Sequence, residues 1–241
     1  MKLNVFVSTT KDGIMSNDKK FFPTLTNEER ELLYKTTLKR FLEKRNIKLE
    51  NINILTEKNT KIKSRVITKE TKKIKEAIYI LKENAKDLVI GVETNDSPVI
   101  IASAKDEQDN RVSAIALGTI KNLNEGILHE MIECLIKETN AAPFEMTFYI
   151  GACPSKEKFI VEDPNILTKN TMWKDALTKT KKKFRLDIRY AIFNELIKEI
   201  VDPNFIYFDS TDTTEDSNYF SKIGNKPGKN LVCVVYTNEE V

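Results

Sequence analysis

The chain has 241 residues, 40% hydrophobic and 31% charged, so it can bury the core of one large domain, or of two small ones, beneath a highly ionic surface. Its formal net charge of +3 is too small to indicate nucleic-acid binding, and we expect no nucleic-acid partner. The three cysteines lack paired spacing, and the sequence shows no apolar run of membrane-spanning length and no signal sequence. These features predict a cytoplasmic protein without a membrane partner.

The first third of the chain is predicted to contain strands at 3–9 and 52–55, with helices after each of them. Thr26 and Glu29 have the spacing of a capping box, which predicts a helix to about residue 45. The apolar residues assigned to its inward face are Leu32, Leu33, Leu38, Phe41 and Leu42. A second helix is predicted at 68–84 and a further strand at 88–92.

Residues 92–138 organise the rest of the chain, because they read as strand, charged hairpin, strand and amphipathic helix. The strands are predicted at 99–103 and 112–116. Asn122, followed by Glu125, is the predicted start of the helix. Its apolar stripe consists of Leu123, Ile127, Leu128, Met131, Ile132 and Leu135.

The C-terminal part alternates predicted strands with one helix. The strands are expected at 147–151, 205–208 and 231–236. The helix is expected at 187–200, with Asp187 as its cap and an inward face that includes Ile200. The acidic residues within 209–216 are interpreted as turn formers rather than as a cation site. Because no linker or repeat interrupts the pattern, residues 1–241 are predicted to form one domain.

Several segments resemble motifs of a single family. Residues 93–99 (ETNDSPV) are similar to the T-A-D-C-x-P-V motif of the laccase-domain family, also called multicopper polyphenol oxidoreductase, which includes purine nucleoside phosphorylase-like enzymes. Residues 117–122 (LGTIKN) stand where that family has H-A-G-W-R-G, and 150–154 (IGACP) resemble its I-G-P-C/S-I. Weaker matches run from the first turn to the last strand, including Gly228-Lys229 in place of G-R. The resemblance implies an α+β fold, a single domain of mixed β-sheets flanked by helices.

The resemblance also implies a metal centre, because the family holds zinc or copper with His, Cys and His and acts on purine nucleosides. The matching positions here are Lys58, Asp96 and Leu117. Lysine is a cation at neutral pH and leucine has no donor atom, so we predict no metal cofactor. A register shift of one residue would place Ser97 at the cysteine position and would not restore the site. His129 is the chain's single histidine, which excludes a His-Cys-His set at any register.

Four further positions are candidates for a substrate or phosphate pocket: Lys121, Cys153, Ser221 and Lys222. Lys121 replaces the family's arginine and keeps its charge, but it cannot form the bidentate fork. Cys153 follows a strand and a glycine without an evident base, which favours a role as core filler over that of a nucleophile. His129 is predicted to lie on an exposed polar helix face.

Two hypotheses follow. In the first, the chain is a purine nucleoside enzyme that acts on adenosine or inosine, with Lys121 or Lys222 neutralising phosphate and Asp96 as acid or base. In the second, it is a non-catalytic relative that binds a nucleoside or a protein partner, and the loss of all three ligand types favours this one. We further predict that the Lys58 ammonium lies within salt-bridge reach of Asp96, with Leu117 packed as ordinary core.

Overall fold

The computed structural model describes residues 1–71, 75–85, 87–162, 170–180 and 183–238. Its helices of five or more residues are α1 (Asn27–Glu43), α2 (Ile120–Asn124), α3 (Ile127–Thr139) and α4 (Ile188–Lys198). Its strands are β1 (Lys2–Val7), β2 (Ile52–Leu55), β3 (Lys61–Val66), β4 (Glu76–Lys82), β5 (Val89–Thr94), β6 (Val99–Lys105), β7 (Arg111–Leu117), β8 (Thr147–Ile150), β9 (Ile160–Val161), β10 (Leu177–Lys179), β11 (Phe184–Leu186), β12 (Ile206–Phe208) and β13 (Asn230–Thr237). All eight strands predicted from the sequence are present, with ends that differ by at most two residues.

The strands form two large mixed sheets and one small sheet. The first sheet has the order β1-β13-β5-β2, and β2 and β5 are its one parallel pair. The second has the order β12-β8-β6-β7-β4-β3, with parallel pairs at both edges. The small sheet, β10-β11-β9, was not predicted from the sequence, because its strands have only two or three residues each.

Three hydrophobic clusters hold these layers together. The middle cluster lies between the two large sheets and includes Ile90 from the first sheet and Ile115 from the second. A second cluster joins the other face of the six-stranded sheet to α3 and α4, and the third joins the other face of the first sheet to α1. Because each fully buried large apolar side chain contributes roughly 1.5–3 kcal/mol, these interfaces fix the sheets in place.

The predicted helix at 68–84 is wrong, because most of the second half of that segment is strand β4. Residues 72–74 lie outside the described residues. Ile78 and Ile80 of β4 pack into the cluster that includes α3 and α4, which we call the helix-side cluster. Tyr79 and Leu81 pack into the middle cluster between the two large sheets, the inter-sheet cluster. A strand that is buried on both faces is a continuous apolar run, and periodicity alone does not distinguish such a run from a buried helix.

The central helix begins earlier than predicted and is broken. The Thr119 hydroxyl, rather than Asn122, caps α2 by accepting a hydrogen bond from the Asn122 backbone N–H. Gly126 then adopts φ +81° and starts α3, a backbone conformation that favours glycine. The predicted apolar stripe is confirmed, because its six residues are buried at 3% exposure or less.

The inward faces of the two longest remaining helices are partly different from the prediction. In α1, Leu38, Phe41 and Leu42 are buried as predicted and the Thr26–Glu29 capping box is present. Leu32 and Leu33 are instead exposed, at 68% and 40%, because the buried stripe continues through Arg30 and Thr37. The Asp187 side chain caps α4 as predicted, whereas Ile200 lies beyond the end of the helix and is exposed. Within the described ranges, no helix is both long and apolar enough to cross a membrane.

Candidate functional site

The strand ends bring the three family positions to one end of the molecule. Strands β2 and β5 are parallel, with Leu55 opposite Val92. The segments that carry Lys58 and Asp96 therefore leave the first sheet at the same end of its strands. Leu117 is the last residue of β7, and the next backbone N–H, that of Gly118, donates to the carbonyl of Pro98 at 2.8 Å. The topology therefore brings these three segments to one end of the molecule.

Asp96 is buried, at 9% exposure, and its carboxylate is the centre of a hydrogen-bond network at this end of the molecule. Its Oδ1 atom accepts from the hydroxyls of Ser221 at 2.6 Å and Thr213 at 3.1 Å. Its Oδ2 atom accepts from the backbone N–H groups of Lys222 at 2.8 Å and Ile223 at 3.0 Å. Four donors from one distant loop thus converge on a single carboxylate, which fixes that loop against the end of β5.

The loop that Asp96 holds is also organised internally. The Ser221 hydroxyl accepts from the backbone N–H of Gly224 at 2.8 Å, and Ser221 itself is fully buried. The Lys226 ammonium donates to the carbonyl of Thr213 at 2.8 Å. Lys222 contributes its backbone N–H, whereas its side chain is exposed. Of the two C-terminal candidates, Ser221 is therefore part of the loop's framework, and the Lys222 ammonium remains available at the surface.

The predicted Lys58–Asp96 ion pair is wrong. Among the described residues, no ion pair joins them, and the Asp96 carboxylate receives its hydrogen bonds from the C-terminal loop instead. Lys58 is exposed, and its charge makes only a minor contribution that lowers the pKa of Glu93. Leu117 is fully buried in the inter-sheet cluster, where it has neither a polar atom nor access to solvent.

A second group of charged residues lies at the same end of the first sheet, on the face that packs against α1. The sequence did not predict that these residues lie together. The Lys229 ammonium lies 3.8 Å from the buried Glu93 carboxylate and 3.4 Å from that of Glu57. Burial raises the pKa of Glu93, while Lys229 and a hydrogen bond with Tyr34 oppose that rise. Burial and the neighbouring Glu93 charge also raise the pKa of the Tyr34 hydroxyl. This group places a buried lysine beside a buried carboxylate close to Lys58.

The one sequence signal for Lys229 was its match to the family's G-R motif. The preceding Gly228 has φ +148°, and a β-carbon there would collide with the ring of Phe220. Glycine is therefore required for the backbone to pass Phe220 and turn Lys229 inward. The pairing with Glu93 was missed because the two residues are far apart in the sequence and become neighbours only through the β5–β13 ladder.

Cys153 is a core residue in the structure. It is fully buried in the helix-side cluster, and burial raises the pKa of its thiol to about 12. Arg189 of α4 donates from Nη2 to the carbonyls of Cys153 at 3.1 Å and Thr211 at 2.7 Å. This guanidinium joins the loops that follow β8 and β12. Because a nucleophile needs an accessible thiolate, the geometry favours the packing role.

The other polar candidates lie on the surface or in turns. The Lys121 ammonium is exposed and lies 3.9 Å from the Glu125 carboxylate. His129 is exposed and pairs with Glu199 at 3.1 Å rather than with a glutamate of its own helix. Partial burial alone would raise the pKa of Asp212, but hydrogen bonds from Ser155 and Thr214 lower it to about 2. This carboxylate closes a turn, as the sequence predicted for the acidic segment.

The residues at this end do not fit a zinc or copper ion. Of the three family positions only Asp96 has a side chain able to ligate a metal, and both of its oxygens already accept two hydrogen bonds. In the described part of the chain, no three His, Cys, Asp or Glu side chains converge as a metal site. The adjacent cavity, lined by Thr94, Asn95 and Tyr149 among others, has a volume of about 20 Å³, which is room for roughly one water molecule.

Two facing mixed sheets with helices on both outer sides define a mixed α/β protein, and the predicted fold class is confirmed. The chain belongs to the multi-copper polyphenol oxidoreductase laccase family, whose model matches residues 27–236. Among curated proteins, none matches the chain.

Three crystal structures share this fold. The hypothetical protein YfiH of Bacillus licheniformis is 15% identical with a TM-score of 0.70, covering 85% of this chain and 81% of its own. YlmD from Geobacillus stearothermophilus is 16% identical with a TM-score of 0.71, covering 84% and 79%. The Neisseria meningitidis protein NMB0706 is 16% identical with a TM-score of 0.71, covering 97% and 93%. At these identities the likeness concerns the fold alone.

Proposed function

We propose that this chain is a non-catalytic member of the laccase-domain family that retains the fold as a scaffold for binding a protein partner. The observation that carries the proposal is the Asp96 network, in which four hydrogen bonds occupy the one possible ligand among the three family positions. A carboxylate that anchors a buried loop cannot coordinate a metal without releasing that loop.

The neighbouring positions support the same proposal. Leu117 offers no donor, and Lys58 lies at the surface near Glu93 rather than beside Asp96. The cavity at this end, of about 20 Å³, is far below the roughly 300–1,000 Å³ of ordinary small-molecule sites. A purine nucleoside would therefore have to displace the loop that Asp96 holds.

The alternative is the purine nucleoside enzyme. One observation favours it: the ammonium groups of Lys121 and Lys222 are exposed, and either is able to neutralise a phosphate. Asp96 would then have to act as acid or base. Its four hydrogen bonds oppose that role, because a general base needs a free lone pair facing the substrate.

The test incubates the purified full-length chain with adenosine or inosine plus phosphate, with and without added zinc. Chromatography measures base release and inosine formation, and elemental analysis measures bound zinc and copper. We expect no turnover above that of the heat-denatured preparation, and less than one metal ion per chain. Turnover that is lost in a Lys121→Ala/Lys222→Ala double variant would establish the enzyme, because both substitutions alter exposed side chains and leave the Asp96 network intact.

A further inference from the structure

The outer edge of β1 presents unpaired backbone groups. The Ser8 backbone N–H donates to the carbonyl of Leu231 at 2.8 Å, so in this antiparallel pair the even-numbered residues of β1 face β13. The N–H and C=O groups of Leu3, Val5 and Val7 therefore point away from the sheet. In the part of the chain that the structure describes, no strand pairs with this edge. Such an edge is a template for another strand.

The six-stranded sheet extends beyond this edge and leaves an apolar face uncovered. Tyr207 of β12 lies beside Tyr149 of β8 in a parallel pair, so both side chains point to the same face. Tyr149 packs against the inter-sheet cluster, and Tyr207 must therefore face the layer of the first sheet. Tyr207 is 52% exposed and Phe205, two residues earlier on that face, is 41% exposed. The first sheet thus ends before it covers the second.

A groove of about 760 Å³ lies between the edge and the uncovered face. Leu3 and Val5 of β1 form one wall, and Ile101, Tyr149 and Phe205 contribute apolar surface to the remainder. Charged residues of both signs, including Lys105, Glu107 and Glu145, lie along its rim. The groove therefore combines a row of backbone donors and acceptors with an apolar floor, and its rim favours neither charge.

We propose that an extended peptide segment of a partner protein binds here by adding a strand to the free edge of β1. Its backbone would bond to Leu3, Val5 and Val7, and alternate apolar side chains would cover Tyr149 and Tyr207. The backbone groups select an extended chain rather than a helix or a small molecule, since only an extended chain presents matching groups at the same repeat. The inference deepens the proposed function by naming the partner's class and docking surface.

The geometry opposes a second copy of this chain as the occupant. Antiparallel pairing of two β1 strands places the two-fold axis normal to the sheet, so both six-stranded sheets lie on the same side of the joined sheet. Each six-stranded sheet already projects past its own β1 through β12. The two projecting edges would meet over the axis and collide, whereas a single peptide strand fits beneath one of them.

The probe for the experiment is a peptide recovered on the full-length chain from a phage-displayed library of random linear peptides, then synthesised and titrated by calorimetry. N-methylation of alternate peptide amides along one edge should abolish binding, and methylation along the other edge should leave the affinity nearly unchanged. This asymmetry is specific to strand addition. In amide exchange monitored by NMR, the peptide should slow exchange at Val5 and Val7.

Two protein variants test the same surface. Tyr207→Lys should lower the affinity for the peptide by at least about tenfold. The matched control is Tyr190→Lys, which alters a tyrosine of similar exposure on α4 and should leave the affinity unchanged. Val5→Pro should also weaken binding, because it removes an outward N–H that the β13 ladder does not use. If Val5→Pro fails to fold, the N-methylated peptides test the same contact.

Three results would overturn the inference. One is that no recovered peptide is sensitive to Tyr207→Lys, and another is that both methylated peptide series bind equally. The third is a stable dimer of the chain alone in sedimentation that Val5→Pro dissociates, which would assign the edge to a second copy. Because none of these measurements involves a nucleoside, peptide binding can fail or succeed independently of the turnover test.

Discussion

Replacement of Asp96 by alanine is the most direct test of how the candidate site is built. The substitution leaves four donors without their acceptor, and two of them, the hydroxyls of Ser221 and Thr213, belong to residues that are at most 1% exposed. Each unmet buried donor costs roughly 1–3 kcal/mol. Hydroxyls can rotate and the two partly buried N–H groups can recruit water, so we count about two unmet donors and expect a loss of roughly 2–6 kcal/mol.

Urea unfolding followed by circular dichroism measures this loss as a lower midpoint with an unchanged slope. For a chain of this length the same loss lowers the melting temperature by about 10 °C. The matched control is Asp216→Ala in the same loop, because that carboxylate accepts one backbone hydrogen bond, from Asn218 at 2.8 Å, and its removal should cost only about 1 kcal/mol. An Asp96→Ala variant within about 1 kcal/mol of the wild type would refute the structural role of the network.

Three further outcomes are expected. Lys222→Ala should change the free energy of unfolding by no more than about 0.5 kcal/mol, because its backbone rather than its exposed side chain binds Asp96; a larger loss in urea unfolding would contradict this. Because burial raises the pKa of Glu93, the folded protein binds this proton more tightly than the unfolded chain does. The stability gained from the protonated carboxyl is therefore present at acid pH and is lost as pH rises past the ordinary glutamate range. Urea titrations should therefore show that Glu93→Gln gains stability relative to wild type from pH 4 to pH 8, and a reversed trend would count against the burial effect. All three cysteines are buried, with pKa values raised to about 12, so a thiol reagent at pH 8 should label native protein slowly and denatured protein at three sites; one fast native site would contradict this.

The parts of the fold that were predictable from the sequence are those with local signals. Short apolar runs and alternating apolar residues predicted eight strands, and the Thr26–Glu29 spacing predicted the start of α1. Strand β4 was misassigned because Ile78 and Tyr79 pack into different cores on opposite faces, which removes the alternation. The exposed Leu32 was misassigned because the buried stripe of α1 includes polar residues such as Arg30, which a hydrophobic pattern does not include.

The candidate site was less predictable, because its interactions join residues that are distant in the sequence. The motif matches assigned Lys58, Asp96 and Leu117 to one site, and the strand ends bring their segments to one end of the molecule. They did not reveal that Asp96 would accept hydrogen bonds from Thr213 and Ser221, which are more than a hundred residues away. A carboxylate's partners depend on the direction of its side chain after the strand ends, and the sequence does not specify that direction.

The position of a carboxylate relative to the end of β5 decides its role. Glu93 lies within the strand and points toward α1, where the buried Lys229 compensates its charge. Asp96 lies beyond the strand and points toward the C-terminal loop, where hydroxyl and backbone donors compensate its charge instead. The structure therefore has a lysine–carboxylate pair, Lys229 with Glu93, on the neighbouring face of the sheet, and not the predicted pair of Lys58 with Asp96. Restoring the three ligand types by substitution would not by itself recreate a metal centre, because a thiol at position 96 is a weak acceptor that cannot satisfy four donors. The loop that closes this end therefore depends on the Asp96 carboxylate.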